Sequence, residues 1–263
     1  MIDTHCHILP GLDDGAKDEG VALIMARKAI ADGVKTIIAT PHTRESDFWN
    51  ERDGILAAAA RFRQVLQRES LDLKIVAGSE AHLGPKMIEL IEKERLLTYA
   101  DGRKYLLLEC PYRTRPVRLE ETIFEFKVAG ITPVIAHPER IRFFQEDPEK
   151  LEEMIRLGCL AQMTSSSLVG RFGKAIAAQS EQWVRRGMVH LLGSDAHDPE
   201  YRPPVLAEAR ERWAELTDQE EAEQATEVRP QALIDGEYIE ADPPLPPERK
   251  RGLISRIFGG SRH

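Results

Sequence analysis

The chain opens with the stretch MIDTHCHILPGLDDG, residues 1–15, which joins a strand-like run to a cluster of imidazole and carboxylate side chains. His5 and His7 are two positions apart on the predicted strand, so both rings face the same side and can bind one metal ion. The acidic pair Asp13 and Asp14 follows in the next loop. A His-x-His pair is common by chance, so a metal-site prediction depends on the residues that follow the other strands.

The rest of the sequence alternates short apolar runs with longer amphipathic stretches. This alternation indicates an α/β fold in which crossover helices connect the strands of a parallel sheet. Seven strands without a Gly-rich dinucleotide loop favour a closed (β/α) barrel over an open sheet. The predicted strands are 1–5, 34–40, 73–78, 105–108, 132–136, 159–163 and 189–192; the predicted helices are 18–32, 52–69, 85–93, 119–129, 148–157, 174–187, 204–216 and a final segment within 217–240.

Imidazole and carboxylate side chains recur where the predicted strands end. The C-terminal ends of parallel barrel strands meet on one face, so these side chains are expected in one bowl. Taken singly, each could be a turn residue, a surface charge or a helix cap. Together they predict a site for zinc, manganese or iron. The set comprises His5, His7, the Asp13-Asp14 pair, His42, Glu80, Glu109, His137, Asp195 and His197, whereas His82, His190 and His263 are interpreted as ordinary residues.

Other kinds of phosphate chemistry lack their motifs in this sequence. None of the three cysteines is followed six positions later by the arginine that a cysteine phosphatase needs. The sequence contains neither a phosphate-binding Gly-x-x-x-x-Gly-Lys-[Ser/Thr] loop nor a Gly-x-Ser-x-Gly nucleophile elbow. A metal-activated water is therefore the expected nucleophile.

Composition limits the compartment and the partners. The 263 residues have a mean hydropathy of −0.37, no long apolar run and no signal-peptide pattern, so a cytoplasmic protein is expected. Three cysteines are too few for a disulfide framework, which agrees with that location. The net charge of −8 disfavours nucleic acid as a partner. Oligomeric state is left open by the sequence.

The C-terminal residues differ from the rest of the chain. Residues 1–240 are predicted to form one domain, and residues 241–263 a Pro-rich linker with a basic tail. The tail carries five basic residues against one acidic residue within 248–263. A disordered end is favoured, and peripheral contact with an anionic membrane is the alternative.

Five motifs make the sequence resemble a known family. Residues 1–15 are followed, in the expected order and spacing, by ATPH (39–42), GSE (78–80), AHPER (136–140) and GSDAH (193–197). This pattern is similar to that of bacterial capsule-type tyrosine-protein phosphatases, the CpsB/CapC group of the polymerase and histidinol phosphatase (PHP) superfamily. The similarity covers about residues 1–240. Thr43 departs from it, because the group often has histidine or an aromatic residue there.

The resemblance implies a distorted (β/α)7 barrel of the PHP type with three divalent metal ions. Manganese is expected, with iron and zinc as alternatives. Arg140 and Arg202 would bind the phosphate, and the substrate would be phosphotyrosine on a tyrosine autokinase that controls capsule or exopolysaccharide synthesis. The implied ligands are His5, His7, Glu80 and Asp195 for one ion, Glu80, Glu109 and His137 for a second, and Asp14, His42 and His197 for the third.

Several functional details stay open at this level. A PHP-type phosphoesterase for a small molecule such as histidinol phosphate would use the same metals, and a PHP-like regulatory module without catalysis is a further alternative. Asp198 and His42 are both candidates for a general acid. Residues 111–115 are either a substrate-recognition loop or a plain connection. Residues 162–167, QMTSSS, are expected to cap the helix that follows, with hydroxyl contacts to the substrate as the alternative.

Overall fold

The computed structural model describes residues 1–246. The membrane contact considered for the basic tail concerns residues 248–263, which lie outside the described residues. No helix within 1–246 has both the length and the apolar character needed to cross a bilayer.

All strands of the described region pair in parallel and form a curled sheet. One three-stranded section has the order β1-β2-β4, and a six-stranded section has the order β3-β5-β6-β7-β8-β9. The strands are β1 (Ile2–Cys6), β2 (Thr36–Ala39), β3 (His42–Thr43), β4 (Lys74–Ala77), β5 (Glu80–His82), β6 (Tyr105–Glu109), β7 (Thr132–Ala136), β8 (Leu160–Thr164) and β9 (Leu191–Gly193).

The second and third predicted strands correspond to β2 and β4. Each is followed, after a short break, by a further short strand that the sequence did not predict, β3 after β2 and β5 after β4. The two breaks lie side by side, and two backbone hydrogen bonds join them. These bonds run from Gly78 N–H to Ala39 O (2.9 Å) and from Glu80 N–H to Pro41 O (3.1 Å). At the opposite edge, Cys6 of β1 forms a parallel bridge with Ala196, just after β9. The result is a mixed α/β single-domain fold whose sheet curls like a barrel.

Helices cover the outside of the sheet. They are α1 (Glu19–Ala31), α2 (Arg52–Arg68), α3 (Met87–Glu92), α4 (Leu119–Val128), α5 (Arg142–Glu146), α6 (Glu149–Arg156), α7 (Ser165–Leu168), α8 (Lys174–Arg185), α9 (Ala207–Leu216), α10 (Gln219–Glu223) and α11 (Arg229–Asp235). Short 3-10 turns occupy Tyr99–Asp101 and Pro138–Arg140, and a π-helical turn, Gln224–Val228, joins the last two helices. Sequence periodicity did not predict α5 and α7, because each is little more than one turn.

Alternation along the strands separates two apolar clusters. Ile37, Leu106 and Ile135 belong to the larger cluster, which includes residues of the surrounding helices. Their strand neighbours Ile38 and Leu107 belong to a smaller cluster that also includes Tyr99 and Leu233. The imidazole and carboxylate side chains of the predicted metal site follow these apolar positions at the C-terminal ends of the strands. The packed core therefore positions the site.

His190 gives the fold a measurable dependence on pH. Its Nδ1 accepts the Ala161 N–H at 3.0 Å, and burial, together with the charge of Arg229, lowers its pKa to about 3. The unfolded chain therefore binds a proton that the folded chain does not, so stability is lost as the pH falls below about 6.5 toward 3. We expect this histidine to cost about 3 kcal/mol of unfolding free energy between pH 7 and pH 4.

Urea unfolding of the wild type and of His190→Asn at both pH values tests this expectation. Asparagine keeps a side-chain acceptor for the Ala161 N–H but does not titrate. The variant should lose less stability on acidification than the wild type. Equal losses in the two proteins would contradict the assignment.

Candidate metal centre

The structure brings all nine sequence-predicted ligands into one bowl at the C-terminal ends of the strands. Eight of them are buried, and the Asp14 side chain is 52% exposed at the mouth. Their positions are His5 in β1, His7 and Asp14 in the loop after β1, His42 in β3, Glu80 in β5, Glu109 at the end of β6, His137 after β7, and Asp195 and His197 after β9.

Glu80 lies at the centre of this bowl and is fully buried. Its Oε2 is 3.3 Å from His5 Nε2, 3.4 Å from His7 Nε2 and 2.9 Å from His42 Nδ1. Its Oε1 is 2.7 Å from His137 Nε2. Burial opposes the negative charge, but the surrounding imidazoles hold the pKa of Glu80 well below its usual range. Both carboxylate oxygens thus face nitrogen donors and can be shared between neighbouring ions.

Three groups of ligand atoms have the spacing that a metal ion requires, with all atoms of a group within 4.8 Å of one another. Two of the groups share Glu80, and His7 and His42 each belong to two groups. The groups are His7, Asp14, His42 and His197; His5, His7 and Glu80; and His42, Glu80 and Glu109.

The donor set fits divalent ions. Within the described chain, His42 Nδ1, Glu80 Oε2 and His137 Nδ1 are buried without a hydrogen bond of acceptable geometry. Buried polar atoms need a partner, and a cation satisfies imidazole and carboxylate donors together. Nitrogen and oxygen donors suit zinc, manganese and iron.

Asp13 and Gln162 orient two of the imidazoles. Asp13 Oδ2 is 2.7 Å from His7 Nδ1, and Gln162 Oε1 is 2.8 Å from His5 Nδ1. These contacts direct the Nε2 atoms toward the centre, as partners of metal-bound histidines commonly do. Gly15 allows the loop to pass this close, because an added Cβ would lie 2.1 Å from the His7 carbonyl oxygen. Sequence spacing did not identify Gln162, since it stands in the middle of a strand.

Two of the site residues have strained backbones. His137 and Asp195 adopt left-handed conformations, with φ angles of 33° and 51°. Such angles are costly for residues other than glycine and tend to occur at functional sites. His137 directly follows β7, and Asp195 follows β9 by two residues. The left-handed conformations turn both side chains into the bowl.

Arg140 and Arg202 converge on Asp195. Arg202 Nη2 lies 2.6 Å from Asp195 Oδ2, and Arg140 Nη1 contacts the same oxygen. Asp195 Oδ1 faces the other way, 3.5 Å from both His5 Nε2 and His7 Nε2. Burial raises the pKa of Asp195, but the imidazoles and the two guanidiniums outweigh it and hold the pKa well below its usual range.

Aromatic rings hold the Arg140 guanidinium from two directions. The guanidinium carbon is 5.5 Å from the centroid of Tyr112 and 4.9 Å from that of Phe172. Tyr112 also stacks on His137, with ring centroids 5.4 Å apart and planes inclined by 15°. The 111–115 loop therefore reaches the site through Tyr112. Its Arg115 instead pairs with Glu120.

The structure changes three interpretations made from the sequence. His82 is a neighbour of the site, because its Nδ1 lies 3.0 Å from Glu109 Oε2. The serines lie within α7 and do not cap it: Ser165 donates to Val205 O and Ser167 to Glu139 Oε1. Asp198 accepts three backbone N–H groups, which outweigh its partial burial and lower its pKa, so it is poorly suited as a general acid.

Comparisons with known proteins identify the family of this chain. Residues 1–235 match the family described as "Capsular polysaccharide synthesis, CpsB/CapC". Tyrosine-protein phosphatase YwqE of Bacillus subtilis is 39% identical over 202 residues, covering 77% of this chain and 79% of that protein. Tyrosine-protein phosphatase CpsB of Streptococcus pneumoniae is 28% identical over 244 residues, covering 91% of this chain and 100% of that protein.

A solved structure gives the same result. It is described as one of the metal-dependent tyrosine phosphatases YwqE from B. subtilis and CpsB from S. pneumoniae. It superposes with a TM-score of 0.90 at 34% identity, covering 95% of this chain and 100% of that one. The resemblance read from the five sequence motifs is therefore confirmed, and the chain belongs to the CpsB/CapC family of capsular polysaccharide synthesis.

Proposed function

We propose that this protein is a metal-dependent phosphatase that hydrolyses phosphotyrosine on a protein. The observation that carries the proposal is the convergence of five imidazoles and four carboxylates beside two arginines, in a chain of the CpsB/CapC family. The names of the relatives support phosphotyrosine as the substrate class. A tyrosine autokinase that controls capsule or exopolysaccharide synthesis is the proposed substrate, in a cytoplasmic setting.

Three divalent ions, with manganese as the principal candidate and iron or zinc as alternatives, would be held by the nine ligands. Glu80 is the proposed bridge, because both of its oxygens face imidazoles. His42 contacts both Glu80 and Asp14. These contacts support ligand sets that share more residues than the three sets implied by the family resemblance, in which His42 serves one ion. Divalent ions bound there would supply an activated water at neutral pH and positive charge for the phosphoryl oxygens.

The arginines bind and orient the phosphate in this proposal. A guanidinium offers five N–H donors, so Arg140 and Arg202 can keep Asp195 and still donate to phosphate oxygens. Their side chains are 18% and 28% exposed, so they are open to a ligand. The leaving tyrosinate has a conjugate-acid pKa of about 10, so this reaction depends little on a general acid.

The proposal includes an architecture for the active domain. Residues 1–240 would form the phosphatase domain, with residues 241–263 as its linker and tail. The hydrogen bonds across both strand breaks and the bridge from β1 to the end of β9 support a distorted (β/α)7 barrel of the PHP type.

Phosphate release from a tyrosine-phosphorylated peptide and from histidinol phosphate tests the function. Chelation should reduce turnover of the peptide at least about 100-fold, and manganese should restore it, because the water must be activated by metal. Metal content measured in the same samples controls for incomplete reloading. Restored turnover mainly on histidinol phosphate would instead identify a small-molecule phosphoesterase.

A further inference from the structure

A cavity of about 290 Å³ lies beside the metal centre. Two of its lining residues, His82 and Arg44, also approach Glu109. His82 Nδ1 is 3.0 Å and Arg44 Nη1 is 4.0 Å from Glu109 Oε2, the same oxygen that lies 4.0 Å from His42 Nδ1. The carboxylate of Glu109 is therefore approached both from the cavity and from the bowl.

Apolar side chains form the walls of this cavity. Met87 and Leu96 are buried beneath it, and Leu83 and Leu90 are half-buried along its sides. Trp49 completes the wall and is 37% exposed. The lining is thus suited to an apolar group, although two of its members, His82 and Arg44, also approach Glu109 of the metal centre.

Two contacts hold the Trp49 side chain at the wall of the cavity. Its indole Nε1 donates to Glu51 Oε1 at 3.1 Å, and the Arg95 guanidinium lies 5.7 Å from its ring centroid. At the rim, Arg44 is held by Asp47, with Nε 2.6 Å from Oδ1. A preformed apolar space with a polar rim is typical of a binding pocket.

We propose that this cavity receives an apolar side chain that flanks the phosphotyrosine of the substrate protein. The inference rests on the proposed function and names a feature of its substrate. The volume is at the lower limit for a pocket that holds a whole small molecule, so it suits one side chain. With the phosphotyrosine in the bowl, a neighbouring residue of the same peptide is within reach of the cavity, because both spaces adjoin Glu109.

Peptide selectivity measured against a substrate without flanking residues tests the proposal. Pairs of phosphotyrosine peptides carry leucine or aspartate at one of the three positions on either side of the phosphotyrosine. The reference substrate is p-nitrophenyl phosphate. Burying a leucine side chain contributes enough free energy for a preference of about 10-fold in kcat/KM at one position. The variants are Trp49→Ala, which removes a wall, and Leu90→Phe, which narrows the cavity.

Both variants should reduce the leucine preference to less than about twofold and leave turnover of p-nitrophenyl phosphate within about twofold of the wild type. Phe124→Ala, an exposed aromatic on α4, is the matched control and should keep the preference. A wild type that shows no preference, or variants that keep it, would overturn the proposal. Failure of the manganese-loaded wild type on peptides and p-nitrophenyl phosphate alike would instead refute the phosphatase function itself.

Discussion

Replacing Glu80 by glutamine should reduce kcat/KM on a phosphotyrosine peptide at least about 1,000-fold, because the substitution removes the charge at the centre of the metal site. Glutamine has nearly the same volume, so packing is preserved. Its NH2 group, however, places a donor where His42 and His137 approach Glu80 within 2.9 and 2.7 Å. The variant should also bind fewer ions than the wild type after reloading, which elemental analysis measures.

Glu152→Gln is the matched control for this substitution. Glu152 is also largely buried, on α6, and its carboxylate pairs with Arg186 at 2.6 Å and with Arg156 at 2.9 Å. It lies outside the bowl, so activity and metal content should stay within about twofold of the wild type. Full metal content and near-normal turnover in Glu80→Gln would remove Glu80 from the site and refute the proposed bridge.

Glu80 also shows why so much of the site could be predicted. The alternation of strands and helices implies that strand ends meet on one face, and that rule alone places His42, Glu80 and His137 together. This rule does not depend on how far apart the residues are in the sequence, because crossover helices connect the end of each strand to the start of the next. The strands themselves were recognised as short apolar runs between longer amphipathic stretches, because strands of a covered parallel sheet are buried on both faces.

The residues that the sequence did not reveal act through three-dimensional contacts. Gln162 points at His5 from the middle of β8, and Phe172 reaches Arg140 from the loop before α8. Neither has a periodic or motif position that would distinguish it from core or surface residues. His82 was set aside for the same reason, because its contact with Glu109 depends on the register between β5 and β6. Side-chain direction, which sequence patterns do not give, decides all three.

Arg140→Ala should reduce kcat/KM on phosphotyrosine peptides about 100- to 1,000-fold, the usual effect of removing one donor that stabilises charge in the transition state. Metal content should stay unchanged, because Arg140 contacts Asp195 at Oδ2, the oxygen that faces away from His5 and His7. Inorganic phosphate should inhibit the variant at least about 10-fold less strongly, since a charged, forked donor to its oxygens is missing. Together these readouts separate phosphate binding from loss of the metal site.

Arg140→Lys should restore little of this activity, which distinguishes a held guanidinium from a simple positive charge. Lysine cannot present a flat face to Tyr112 and Phe172 while it also donates to Asp195 and to a phosphate. Arg142→Ala is the control two residues away, because Arg142 is exposed and, within residues 1–246, its side chain pairs with Glu146 on the surface of α5. If Arg140→Ala stayed near wild-type activity and Arg202→Ala lost it, Arg202 would be the phosphate-binding arginine, and the aromatic contacts of Arg140 would serve packing alone.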